Sequence, residues 1–200
     1  MAVPNPFERN VEANQFVIEQ FNELIPRFRE EQGNYVNFVR AALRLADTKT
    51  RKKVIAELRQ YAEDPQWGEI SRGVFGMLLQ LGAKDLDVTA VVDEVEKYKD
   101  YPAEETRLLF NGDGAFLQES VHPRNFDQLN RFLKLESSIT PDPLMDVQNN
   151  VIWFAAQKSK KFREDPRFAW LVNSRFVGAN PAVDEALKRI AKAQKIMEEN

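Results

Sequence analysis

LMDVQNNVIWFAAQKSKKFR, Leu144 to Arg163, is the stretch that decides the fold. It holds the strongest apolar run of the chain, VIWFAA at 151–156, and passes directly into four cations, Lys158, Lys160, Lys161 and Arg163. Leu144, Val147, Val151, Phe154 and Phe162 recur at intervals of three, four and eight, with Met145, Ile152 and Ala156 beside them. That period lays a wide apolar stripe along one helix, around which other helices can pack. The stretch is read as the central helix of the second half.

On its C-terminal side, Glu164-Asp165-Pro166 breaks the chain with an aromatic in the last turn, a capping aspartate and a proline at the next start. A short helix with Phe168, Trp170, Leu171 and Val172 follows. Gly178 to Pro181 then leads into a terminal amphipathic helix over 182–199, with the stripe Val183, Leu187, Ile190, Ala191, Gln194 and Met197.

On the N-terminal side, Thr140-Pro141-Asp142-Pro143 is a stiff linker, and Pro123 opens a helix to about Glu136 with Phe126, Leu129, Phe132 and Leu133 inward. Residues 115–122 show no decisive period. Asn111-Gly112-Asp113-Gly114 is the strongest turn signal and sits near the middle. It marks the expected boundary between an N-terminal lobe, 1–110, and a C-terminal lobe, 115–200, unless the two form one continuous domain.

The first lobe reads as a short arm, Met1 to Pro4, and a helix opened by Asn5-Pro6. A deeply buried helix from Tyr35 to Ala46 comes next, then a third from Asp47-Thr48 through Tyr61 with Val54, Ile55, Leu58 and Tyr61 inward. A fourth runs from Trp67 to Gly82. A fifth, Val88 to Tyr98 capped by Asp87, turns Val91, Val92, Val95 and Tyr98 inward and its acids outward; a short sixth starts at Pro102. No segment sustains the period-two alternation of a strand. The expected architecture is therefore all-α, about nine helices in two packed lobes, with no β-sheet. The break at 59–67 (RQYAEDPQW) echoes that at 160–168 (KKFREDPRF), which reads as the same helix break used twice rather than as the mark of a duplicated helical unit.

Composition bounds the function. At 200 residues and 43% hydrophobic content the chain can bury a real core. Its net charge of −3 and pI near 5.4 rule out a global basic field. The charge is uneven, however: ten acids and three cations lie between Asp85 and Glu119, against ten cations and six acids from Val151 onward. Opposite surfaces of this kind suit head-to-tail contact between copies. With no cysteine there is no thiol chemistry and no disulfide. Neither a secretory signal nor an apolar run of roughly 18 residues is apparent. The expected location is intracellular, cytoplasmic or in a virion, without a membrane partner.

Enzyme signatures are poor. His122 is the one histidine; Glu119-Ser120-Val121-His122 has the spacing of helical di-iron sites, but such sites need a second copy. Ser120 and His122 lack an orienting third group. No motif calls for a cofactor. The better signal is cationic: Arg40 and Arg44 on the second helix, Lys49, Arg51, Lys52 and Lys53 at the start of the third, and Lys158, Lys160, Lys161, Arg163 with Arg167. Cations in a first helical turn oppose the macrodipole, which favours acids there by about 0.3–1 kcal/mol, so an anionic partner would explain them. Tyr35, Phe38, Trp153, Phe162 and Phe168 lie near these clusters, and any left exposed can stack on bases. The expectation is a non-enzymatic assembly protein that oligomerises and holds RNA or DNA backbone without reading sequence, as a viral nucleocapsid or coat subunit does. The alternative is an all-α adaptor that binds another protein, with the basic clusters as plain surface.

Overall fold

Asp47 caps the first described helix as its position in the sequence predicts. In the computed structural model, which describes residues 46–62, 78–79, 83, 85–102 and 114–198, its carboxylate accepts the Thr50 N–H at 2.8 Å. Its carbonyl accepts the Arg51 N–H at 3.0 Å, and helix α1 runs Thr48–Ala62. Leu58 is buried on its inner face. Arg59 forks onto Asp85, with Nη2 donating to Oδ1 at 2.5 Å and Nη1 to Oδ2 at 3.3 Å. The two predicted helices before α1 lie outside the described residues, as does most of the fourth, of which Leu78 and Leu79 are helical and buried.

The chain divides into two compact units, Met1–Leu86 and Asp87–Asn200. Helix α2, Thr89–Tyr98, which the turn signal at 111–114 would assign to the first lobe, belongs to the second unit and packs on α3, Phe126–Lys134. The expected turn at 111–113 lies outside the described residues. Gly114 opens a helical stretch at 114–119, in the region whose sequence shows no decisive period. A Cβ on Gly114 would come within 2.4 Å of Val147 Cγ1, a stiff β-branched neighbour, so this approach requires glycine.

After a 3₁₀ turn at Pro123–Asn125, α3 buries Phe126, Leu129, Phe132 and Leu133, the four positions its spacing picks out. The central stretch divides in two. Helix α4 spans Met145–Lys158 and helix α5 spans Lys160–Glu164, separated by Ser159 in extended conformation. The break has a local cause: the Ser159 hydroxyl accepts the Phe162 N–H at 3.1 Å and starts a new helix. Leu144, Val147, Val151, Ile152, Ala155 and Ala156 form the buried stripe of α4.

Pro166–Asn173 then forms a 3₁₀ helix whose N-cap, Asp165, accepts the Arg167 N–H at 3.0 Å. Phe162 and Phe168 close this corner as expected. Their rings lie 4.0 Å apart, with Phe126 edge-on to both at 6.0 and 5.3 Å, and all three are buried.

Gly178, at φ 79°, turns the chain where a side chain would be strained. Helix α6, Pro181–Glu198, starts with Asn180 accepting the Val183 N–H at 3.0 Å. It packs on α4, α5 and the 3₁₀ helix through Val183, Ala186, Leu187 and Ile190. Ala191, expected inward, is exposed; Ala186 takes the inner place. Among the described residues every regular element is helical, in keeping with an all-α fold, and no helix is long and apolar enough to cross a membrane.

Candidate nucleic-acid interface

The predicted cations separate into those the fold uses internally and those it leaves to solvent. In the first unit, α1 has no acid in its first turn, and Lys49, Lys52 and Lys53 are exposed. Arg51 is half-buried and donates Nη2 to the Ala46 carbonyl at 3.0 Å. Arg40 and Arg44, with Tyr35 and Phe38, lie outside the described residues.

In the second unit, Lys158 and Lys161 are exposed and form no ion pair among the described residues, while Lys160 reaches Glu164 at 3.4 Å one turn on. An exposed i,i+4 pair of this kind is worth about 0.3–0.5 kcal/mol, so Lys160 can readily exchange it for a phosphate. Arg163 is committed elsewhere: Nη1 donates to the Ala156 carbonyl at 2.6 Å, tying α5 back to the end of α4. Arg167 is held between Asp165, at 2.8 Å, and Asp127, at 2.7 Å. These bonds hold the Asp165 carboxyl below its ordinary value and stabilise the charged guanidinium.

Of the aromatics expected near the clusters, Phe162 and Phe168 belong to the core. Trp153 is 40% exposed and makes no ring or cation–π contact among the described residues. It stands on the outer face of α4 in a row with Asp146, Asn150 and Gln157, all exposed, at the spacing that aligns residues along one helix face.

Three further cations, not singled out in the sequence, lie on the outer face of α6. Lys188, Lys192 and Lys195 are exposed on α6 and form no ion pair among the described residues, whereas Arg189 pairs with Glu185 at 3.3 Å. Their spacing of four and three is present in the sequence, where the apolar stripe of that helix masks it. Gln194 fixes α6 to the basic corner: its amide nitrogen donates to the carbonyls of Arg163 and Asp165, both at 2.9 Å.

The acidic stretch is partly neutralised within the second unit. Arg131 bridges from α3 to Asp93, at 2.7 Å, and to Glu96 on α2. Asp100 accepts Lys99 Nζ at 2.7 Å and the Ser138 N–H and hydroxyl at 2.7 and 2.8 Å. Lys99, followed by these Ser138 bonds, brings the Asp100 carboxyl down to about 2, against about 3.9 in an unfolded chain. Between these values the unfolded state binds more protons than the folded one. Stability contributed by Asp100 is thus present above pH 4 and lost as pH falls towards 2. Denaturant midpoints between pH 2 and 5 should fall less steeply for Asp100→Asn than for the wild type; parallel curves would show that Asp100 is not linked to folding.

The two residues weighed as a catalytic pair are used separately. His122 caps the 3₁₀ turn, its Nδ1 accepting the Arg124 N–H at 3.3 Å. Ser120 Oγ is buried and unpaired, so the two do not form a dyad. Among the described residues no group of three histidine, cysteine or carboxylate side chains is placed to hold a metal. The chain matches no protein-family model, no curated protein and no solved structure.

Proposed function

We propose that this is a non-enzymatic assembly protein that holds nucleic-acid backbone without reading base sequence, as a helical nucleoprotein or coat subunit does. The observation that carries the reading is the number of lysines that the second unit leaves exposed. Lys158 at the end of α4, Lys160 and Lys161 on α5, and Lys188, Lys192 and Lys195 on α6 are exposed, and of these Lys160 alone forms an ion pair among the described residues. Like charges on three packed helices repel one another in the free protein. Phosphates would remove that repulsion and release counterions. Lys49, Lys52 and Lys53 of the first unit supply a second set of the same kind. Such contacts position a strand and carry no sequence information.

The first test is size-exclusion chromatography with light scattering and two-wavelength absorbance, before and after nuclease and high salt. A large nucleic-acid-rich species that dissociates in salt is expected. Binding to a mixed-sequence oligonucleotide should weaken steeply with salt. Lys158→Gln with Lys161→Gln should reduce the log–log salt slope by about 1.4 for single strands, roughly 0.7 for each phosphate that is no longer neutralised. A wild-type chain that elutes free of nucleic acid and binds no oligonucleotide at low salt would sink this reading and favour an adaptor of protein partners.

A further inference from the structure

Resting on that reading, we infer that the outer face of α6 is a track for the phosphates of a nucleic-acid strand, centred on Lys192 and kept at a cost to the stability of the helix. Lys188, Lys192 and Lys195 follow at intervals of four and three. At 100° per residue they lie within about 60° of one another around α6, and within about 10 Å along it. All three are exposed, on the side away from the buried Val183, Ala186 and Ile190.

The neighbours of Lys192 separate a track from an ordinary solvated face. One turn before it stand Lys188 and Arg189, and one turn after it Lys195; the other residue at that spacing, Ile196, is uncharged. Residues three and four apart meet on a helix surface, and like charges there destabilise it. Elsewhere the same unit does the opposite, setting Lys160 against Glu164 and Arg189 against Glu185 at i,i+4. The pull of a helix C-terminus on cations accounts for Lys195, in the last turn. It does not account for Lys188 and Lys192, which lie further in. Nor does another element supply a carboxylate: the three lysines form no ion pair among the described residues, where Asp93, Glu96 and Asp127 are taken by Arg131 and Arg167. The missing counter-charge then comes from outside the chain. A row of ammonium groups suits a partner whose charges also run in a row, and each lysine that meets a phosphate releases a counterion. Lysine meets phosphate as a point charge, so the face sets the path of the strand and reads no base.

The test sets Lys188→Gln with Lys192→Gln against Lys97→Gln with Lys134→Gln. Each pair removes two positive charges, and the second lies on α2 and α3, over the Tyr98 and Trp170 rings. Oligo-dT binding is titrated over a range of salt concentrations. The α6 pair should reduce the log–log salt slope by about 1.4, roughly 0.7 for each phosphate no longer neutralised, and the control pair should leave it unchanged. Lys192→Glu should bind more weakly than the wild type and yet melt a few degrees higher at low salt, because it turns like-charge neighbours into opposite ones. A gain in melting temperature also excludes misfolding as the cause of weaker binding. Equal slopes for the two lysine pairs would show a response to net charge alone and overturn the inference, leaving the backbone-binding reading standing. Wild-type affinity in a more stable Lys192→Glu would do the same, as the mark of a plain solvated face. No rise in melting temperature would show that these cations do not repel one another and remove the ground of the inference. Loss of self-association in nuclease-treated protein, with oligo-dT binding retained, would make the face a contact between copies instead. A wild type that binds no oligo-dT at low salt removes both the inference and the reading it rests on.

Discussion

Stopping the chain at Asn180 is expected to unfold the second unit, not merely to alter its assembly. Helix α6 buries Val183, Leu187 and Ile190 together with Ala186, against α4, α5 and the 3₁₀ helix. Burying one large aliphatic side chain is worth about 1.5–3 kcal/mol, so the three larger ones contribute roughly 5–9 kcal/mol. The two Gln194 bonds to Arg163 and Asp165 add about 1 kcal/mol each. A typical domain has about 5–15 kcal/mol in all. The truncated chain should lose near-ultraviolet dichroism from the Phe126, Phe162 and Phe168 cluster, and α4 amides should exchange without protection. Ile190→Asp should reproduce most of this without shortening the chain. A truncated protein with a cooperative transition and native α4 protection would mean that α6 is dispensable to its own unit, which is what an arm donated to a neighbouring copy requires. An amphipathic stripe at a chain end suits either role; the four buried side chains favour docking at home.

Much of this unit is legible in the sequence because its signals are local. The three-and-four spacing of Phe126, Leu129, Phe132 and Leu133 reports one buried helix face, and Asp165-Pro166 reports a cap followed by a residue without an N–H. The break inside Leu144 to Arg163 is not legible. At 100° per residue Phe162 falls within about 20° of Val151, so the stripe runs through Ser159 as though the helix continued. What divides it is one hydroxyl turned onto the Phe162 N–H, a choice open to any serine and decided by tertiary packing.

The cations illustrate the same limit. Charge runs are visible in the sequence, but their use is not: Lys158 and Arg163 look alike as letters. The fold exposes the first and commits the second to the Ala156 carbonyl. The place of α2 depends on Arg131 crossing to Asp93 and Glu96, 38 and 35 residues earlier, a pairing with no local signature. Trp153 is visible as an aromatic beside a basic run, and only the burial of Phe162 and Phe168 singles it out.

Gln148→Leu is expected to destabilise the second unit by about 3 kcal/mol although it makes a buried position more apolar and changes little in volume. The Gln148 side chain is fully buried. Its amide nitrogen donates to the carbonyls of Phe132, at 2.8 Å, and Leu135, at 2.9 Å, at the C-terminal end of α3. Its oxygen accepts Arg175 Nη2 at 2.7 Å. Arg175 in turn reaches the Leu135 carbonyl at 2.7 Å and Asp142 Oδ2 at 2.5 Å. One amide thus holds the end of α3, the linker before α4 and the loop before α6 in a single network. Leucine removes two neutral bonds of about 0.5–1.5 kcal/mol each and one bond to a charged group of about 1.5–3 kcal/mol. Part of the loss is spared because Arg175 still serves the Leu135 carbonyl and the Leu135 N–H still serves that of Phe132, at 3.1 Å. Arg175→Met should also destabilise, and the double variant should cost less than the sum by about 1–2 kcal/mol, since both changes cut the same network. The check is a urea denaturation cycle read by amide exchange in α3 and α4, which isolates this unit from the first. Simple additivity would mean that the two side chains act on separate parts of the fold. A neutral Gln148→Leu would mean that apolar packing, not the amide, holds the end of α3 in place.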